Sequence, residues 1–306
     1  MIETDNLTKT YGNVTAVEDL TLRVDEGEVF GFLGPNGAGK TTTVRVLTCL
    51  ISKTSGEASI ADYEVGNSAD CQNIRKLIGL VPDNVGLYED LSAYRNLDFY
   101  GRLYECPEAQ RRERIEYFLK MLELWDVRDR AVRTFSRGMK QKLAIVRALI
   151  HDPQVLFLDE PTANLDPQFQ KTVRDFILEL KHEKRTIFLN THNLDEAQRI
   201  CDRIGILNTQ LVAEGTPGQL MTSLEGRKTE VQLQQVTPAV TRALERLGLR
   251  YVVANGNTVV IDVNDPETEN PGIAEAIVAA GGRVQFVTEK RASLEEVYLK
   301  LVREER

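Results

Sequence analysis

Cysteine is scarce in this chain of 306 residues: Cys49, Cys71, Cys106 and Cys201 are its four thiols. None lies within metal-ligand spacing of another, which excludes a disulfide framework and a cysteine-based zinc site and fits a reduced, cytosolic setting. Long apolar runs are missing, so no membrane span is expected. The first residues show no basic, apolar-cored leader. A cytoplasmic protein is therefore expected, linked to a membrane only through a partner. Positive charge is in deficit: 38 Lys and Arg against 46 Asp and Glu give a net charge of −8, so no nucleic-acid partner is expected. Internal repeats and low-complexity segments are absent. What is present is ordinary globular composition, 42% hydrophobic, with enough chain for one large domain or a medium one plus a small one.

Against that background one stretch stands out: Gly34-Pro35-Asn36-Gly37-Ala38-Gly39-Lys40-Thr41 satisfies G-x-x-x-x-G-K-[ST] at every required position. It follows Gly27-Glu28-Val29-Phe30-Gly31-Phe32-Leu33, which reads as a short apolar buried strand. It precedes Thr42 to Leu50, which reads as the first turns of a helix. Strand, glycine turn and helix start together aim backbone N–H groups and the positive end of a helix dipole at an anion. Asn36, Gly37, Ala38, Gly39, Lys40, Thr41 and Thr42 are therefore expected to cradle phosphates. Lys40 is expected to reach the β- and γ-phosphates, and the Thr41 hydroxyl to bind Mg²⁺.

The order of segments places this loop in an α/β domain. Residues 2–9 and 20–24 alternate as strands with one wet face, with Tyr11-Gly12 as a turn signal between them. Further strands are expected at 56–60, 79–81, 155–158 and 186–189. Helices are expected at 92–104, 108–124, 136–150 and 168–183, with Ser92 and Ser136 as N-caps. Such alternation predicts a P-loop core with a mainly parallel sheet, an antiparallel β subdomain, and a helical lobe inserted at about 85–150. The first domain is read as 1–222. After a compositional break near 222–230, residues 228–306 read as β-α-β-β-α-β: strands at 229–235, 249–254, 257–263 and 283–288, helices at 238–247, 271–280 and 292–302. This suggests a small ferredoxin-like α+β domain, with Asn255-Gly256 as a hairpin turn.

Three more constellations carry chemistry. Val155-Leu156-Phe157-Leu158 ends in Asp159-Glu160. A strand ending beside a nucleotide would let Asp159 hold Mg²⁺ through water and Glu160 orient or deprotonate the attacking water. Asn190-Thr191-His192 ends the next strand, and Asn193 and Glu196 have capping-box spacing, so a helix starts there. His192 on that turn is expected to bond the γ-phosphate and Glu160. His151 and His182 are read as solvent-facing or capping. Finally, Ser136 as N-cap with Gly138 exposing backbone makes a second anion site at a helix start. One chain needs only one γ-phosphate site, so two copies are expected to face each other, each helix closing over the other's ATP.

These elements, in this order over about 1–220, resemble the ATP-binding subunit of an ABC transporter. The resemblance implies that Tyr11 stacks on adenine, that Asn164-Leu165-Asp166 crosses a homodimer interface, and that residues 79–91 sense nucleotide and touch the membrane subunit. The stretch Val81 to Tyr88, the terminal Ala292-Ser293-Leu294-Glu295-Glu296-Val297-Tyr298 and the small C-terminal domain resemble the subgroup partnered with ABC-2-type integral membrane permeases, mostly exporters. Such a subunit would sit on the inner face of the membrane through its permease. Two sites depart from the usual pattern. The signature reads Phe135-Ser136-Arg137-Gly138-Met139 where most members have Leu-Ser-Gly-Gly-Gln, and Asp83 replaces a glutamine at a position assigned to nucleotide and Mg²⁺.

Arg111-Arg112-Glu113-Arg114 reads as a solvated helix face. Most of Tyr88, Tyr94, Phe99, Tyr100 and Tyr104 read as core of the helical lobe. The remainder would form a groove for a short helix from a membrane protein. Two other functions fit parts of the pattern: an importer ATPase subunit, and a soluble ATP-driven clamp on nucleic acid or ribosomes.

Overall fold

The computed structural model describes residues 1–82, 86–163, 165–223, 227–290 and 293–303. Asp83 and Asn164, both singled out above, lie outside the described residues. The chain divides into two compact units, Met1–Thr216 and Pro217–Arg306.

The first unit opens with a hairpin of β1 (Ile2–Tyr11) and β2 (Val14–Val24). Then come β3 (Val29–Leu33), α1 (Lys40–Leu47), β4 (Ser55–Ile60), β5 (Tyr63–Glu64), α2 (Ser68–Leu77), β6 (Ile78–Val81), α3 (Ala93–Leu103), α4 (Glu108–Met121) and α5 (Arg137–Leu149). It continues with β7 (Val155–Asp159), α6 (Pro167–His182), β8 (Thr186–Asn190), α7 (Leu194–Ile200), β9 (Arg203–Asn208) and β10 (Gln210–Gly215). One sheet runs β10-β9-β3-β8-β7-β6, parallel except for β10. A second, antiparallel sheet runs β2-β1-β4-β5.

The parallel strands β3, β7 and β8 are buried at every residue, which is why they read as unbroken apolar runs. Phe30, Phe32, Phe157 and Phe188 pack their rings at tilted angles in this core, with Phe32 and Phe188 centroids 5.2 Å apart. Each ring so buried contributes about 1.5–3 kcal/mol. Because β3, β8 and β7 are parallel and in register, with Phe32 opposite Asn190 and Asn190 opposite Asp159, the loops that follow all three emerge at one edge. That edge is where an open α/β sheet binds ligands.

The helical region departs from expectation in three ways. Between α4 and α5 the chain runs through turns and short 3₁₀ helices at Trp125–Val127 and Val132–Thr134. The arginine run is not uniformly solvated. Arg111 is buried, its Nε donating to Asp98 Oδ1 at 2.6 Å and its guanidinium also donating to the Cys106 carbonyl, while Arg114 pairs with Asp152. The aromatic stretch is surface. Tyr88, Phe99 and Tyr104 are exposed and Tyr94 and Tyr100 half-buried, because the inward positions of α3 are taken by Ala93, Asn96, Leu97 and Gly101. Buried Asn96 fastens this region: its Oδ1 accepts from the Tyr88 N–H, and its Nδ2 donates to the carbonyls of Tyr88 and Ser92. His151 is also not the solvent-facing or capping residue expected. Its ring stacks on Tyr104 at 3.8 Å, its Nε2 bonds the Ile78 carbonyl, and burial pushes its pKa down.

The second unit comprises α8 (Pro217–Ser223), β11 (Arg227–Leu233), α9 (Pro238–Arg246), β12 (Tyr251–Ala254), β13 (Thr258–Val263), α10 (Pro266–Ala279), β14 (Val284–Lys290) and α11 (Leu294–Arg303). Its sheet order, β12-β13-β11-β14 with every pair antiparallel, is ferredoxin-like. Asn255 and Gly256 have positive φ of 55° and 74° in the three-residue turn, 255–257, that joins the paired ends Ala254 and Thr258. Helix α10 starts earlier than the expected 271. Asp265 caps it, and Pro266 occupies the first turn, where a missing N–H does no harm.

Candidate functional site

The chain leaves β3 at Leu33, turns through Gly34–Gly39 and enters α1 directly. Gly39 adopts φ +99°, and a Cβ on it would lie 2.1 Å from the Ala16 carbonyl oxygen. Only glycine fits there. No side chain caps α1, so its first N–H groups are left for another acceptor. All seven predicted phosphate-loop positions, Asn36 to Thr42, line one cavity of about 460 Å³, together with Asp159, Glu160 and Asn190. Lys40 is 7% exposed, and its ammonium donates to the carbonyls of Gly34 at 2.6 Å and Pro35 at 3.0 Å. Burial pulls its pKa below the usual lysine range, and the carboxylates of Glu160 and Asp159 oppose that shift.

Asp159 is buried at the end of β7. Thr41 Oγ1 donates to its Oδ2 at 3.2 Å, and the Asn190 side-chain amide donates to its other oxygen. Asn190 was not anticipated as a site residue, although it ends the apolar strand just before the histidine turn. Its backbone carbonyl accepts from the Glu160 N–H at 2.8 Å. Glu160 itself has φ +52°, a left-handed conformation uncommon for a residue other than glycine. This turn brings its Oε2 to 2.8 Å from His192 Nδ1, whose N–H donates to the carboxylate. The imidazole is otherwise well exposed and is not part of the cavity lining.

The capping box expected at 193–196 forms only in half. Asn193 Oδ1 accepts from the Glu196 N–H at 3.1 Å, but the Glu196 carboxylate does not return to Asn193. It turns inward, where its Oε2 accepts from Thr162 Oγ1 at 2.7 Å and Thr191 Oγ1 at 3.3 Å. The Asn193 N–H is satisfied by Thr191 Oγ1 instead. Glu196 is 3% exposed, and burial raises its carboxyl pKa while the two hydroxyl bonds hold it back. The spacing pattern correctly located the helix start but sent the carboxylate to the wrong place.

The second helix start lies elsewhere. Ser136 Oγ caps α5 by accepting from the Met139 N–H at 3.3 Å. Gly138 packs against α6: a Cβ on it would sit 2.9 Å from the Phe169 ring. Asp166 caps α6 through the N–H groups of Gln168 and Phe169. The structure thus brings Gly138 and Asp166 to Phe169, with Ser136 capping the helix that carries Gly138; the phosphate-loop cavity's lining includes none of the three. Tyr11, at the end of β1, is also outside that lining. Its ring is 47% exposed, with the Lys9 ammonium 4.9 Å from the centroid.

Comparison with known proteins identifies the family. The ABC transporter family model matches residues 17–163. A daunorubicin resistance ATP-binding protein of Streptomyces coeruleorubidus is 34% identical over 308 residues, spanning 100% of this chain and 96% of the relative. A Nod factor export ATP-binding protein of Cupriavidus metallidurans is 35% identical, spanning 98% and 97%. Among solved structures, a dimeric post-hydrolysis ATP-binding cassette bound to ADP and Pi superposes with a TM-score of 0.65 at 28% identity, covering 71% of this chain and 98% of that one. An ATP-binding subunit of an ABC transporter superposes at 0.67 with 31% identity, covering 73% and 92%. The chain belongs to the ABC transporter family, as one of its ATP-binding, ATP-hydrolysing subunits.

Proposed function

We propose that two copies of this chain close around two Mg-ATP and drive a separate ABC-2-type membrane permease in the direction of export. Relatives named for drug resistance and export match along nearly the whole chain, C-terminal unit included, which favours this subgroup over an importer subunit. The net charge of −8 weighs against a clamp on nucleic acid or ribosomes.

The single observation that carries the reading is the 2.8 Å contact of Glu160 with His192 beside the phosphate-loop cavity. In this reading Lys40 and the backbone of 36–42 take the β- and γ-phosphates. Thr41 and Asp159 hold Mg²⁺, with Asp83 as a further oxygen donor. A hydroxyl and a carboxylate 3.2 Å apart at the cavity wall suit a hard cation. Among the described residues no cluster of three or more His, Cys, Asp or Glu forms a cage of its own, which suits an ion that shares its coordination with phosphates. Once bound, Mg²⁺ neutralises phosphate charge. Glu160 takes the proton of a water whose oxygen bonds the γ-phosphorus while the bond from that phosphorus to the β–γ bridging oxygen breaks. His192 holds Glu160 in place and contacts the γ-phosphate. Tyr11 stacks on adenine, and Ser136, Gly138 and Asp166 of one copy complete the other copy's site. The exposed rings of Tyr88 and Phe99 and the half-buried ring of Tyr100, centroids 5.1–6.0 Å apart, offer a seat for a short permease helix. The protein would then work at the inner face of the membrane.

Glu160→Gln tests this. Turnover should fall by about 10²–10⁴-fold, the usual worth of a general base, with ATP affinity retained. Light scattering should show Mg-ATP converting the variant into a stable dimer. Full turnover would remove Glu160 from its role. A strict monomer, even beside the permease, would remove the proposed dimer. Co-purification of a permease from detergent-solubilised membranes tests the partner.

A further inference from the structure

We infer that Glu196 is a positioning residue for hydrolysis: its buried carboxylate clamps the segment that carries Glu160 to the segment that carries His192. The inference rests on the roles proposed above for those two residues. Thr162 lies on the turn just after Glu160, and Thr191 immediately precedes His192. Both threonines are buried, and both hydroxyls converge on the same carboxylate oxygen, at 2.7 and 3.3 Å. The neighbouring acid in the first turn of α7, Asp195, stays exposed, as a dipole-complementing acid ordinarily does. Glu196 instead gives up hydration, and the two hydroxyl bonds are what it receives in return.

The geometry indicates what the clamp does. At the strand end, β7 and β8 are joined by their ladder, by the Glu160 N–H to Asn190 carbonyl bond, and by the Asn190 amide on Asp159. Beyond the strands, the Glu196 node ties the two turns a second time. The Glu160–His192 contact sits between these two ties. Glu160 also holds a left-handed φ, and Thr162, two residues on, is held by the Glu196 carboxylate. Glu196 fixes the far side. It touches no reacting atom and acts only through Thr162 and Thr191.

The test measures steady-state turnover beside equilibrium binding of Mg-ATP. Glu196→Leu should lower kcat by about tenfold to a hundredfold, the scale of a small misplacement of reacting groups, with nucleotide affinity unchanged. Glu196→Gln, whose amide oxygen accepts both hydroxyl bonds, should restore most of that loss. Adding Thr162→Val to Glu196→Leu should cost nothing further, as expected for members of one network. A folded Glu196→Leu with native kcat, while Glu160→Gln is inactive, overturns the inference and leaves the proposed function standing. An active Glu160→Gln overturns the reading beneath it. Equal losses of kcat, affinity and Tm in the Leu and Gln variants reduce Glu196 to a structural residue and overturn the inference as well. If Glu196→Leu does not fold, the pair Thr162→Val and Thr191→Val decides. Native turnover there refutes the clamp, and a loss of kcat at retained affinity supports it.

Discussion

Two helix starts were expected to bind anions, and the structure treats them differently. At α1 the cap position is Gly39, no side chain satisfies the first turn, and the loop lines a cavity together with buried Asp159 and half-buried Glu160. At α5 the Ser136 hydroxyl satisfies a first-turn N–H of its own helix, and the element beside it is another helix start, that of α6. The first is a container made within one chain. The second is a surface that borders no such cavity. Two anion-seeking ends of such different completeness in one polypeptide fit the proposal that each copy completes the other's site.

Substitutions that spoil one end and spare the other would break or sharpen this contrast. The largest effect is expected from Gly39→Val. The new side chain meets the Ala16 carbonyl and must hold a positive φ, so ATP binding should vanish in equilibrium titration, with a stability loss of about 3 kcal/mol or more read by denaturant unfolding. Lys40→Ala should come next, weakening ATP about tenfold to a hundredfold, the worth of a charge-assisted bond. Unchanged affinity would separate Lys40 from the phosphates. At the other end, Ser136→Ala should leave the ATP affinity of the isolated chain intact while removing a cap worth about 1 kcal/mol. If affinity falls instead, the two ends are not distinct.

The smallest effect concerns pH. Glu196 has its folded carboxyl pKa raised above the ordinary 4.5, mainly by burial. The folded state therefore holds that proton more tightly than the unfolded chain. Its contribution to stability is full below 4.5 and is lost as pH rises through the folded value. Thermal unfolding of Glu196→Gln, compared with the native chain between acid and neutral pH, should show the native protein losing ground as pH increases. A constant difference would mean that no such shift exists.

The sequence made the first helix start legible because its chemistry is local: glycines, a lysine and a threonine at fixed spacing beside a wholly buried strand. The parallel strands were legible for the same reason, burial on both faces. Helix α2 was not anticipated, and Ile74 is its only buried residue, so it carries no apolar stripe. Strands β9 and β10 were also missed, although Ile204 to Leu207 is a buried apolar run that a closer reading would have found. The fates of Arg111 and Glu196 were illegible for a different reason. A charged residue in a helix is solvated by default, and only tertiary partners such as Asp98, or Thr162 and Thr191, bring it indoors. The exposure of the aromatic stretch was hidden likewise, because only the fold decides which face of α3 looks inward.

One of those interior polar groups has a mechanical meaning. Asn96 is wholly buried and grips Tyr88 by both its N–H and its carbonyl, 2.9 Å each way. A load applied to that ring does not dissipate along a slack loop but arrives at α3 through two short bonds. The ring of Tyr88 is thereby tied to the helix that also carries Phe99 and Tyr100, so the three rings share one anchorage.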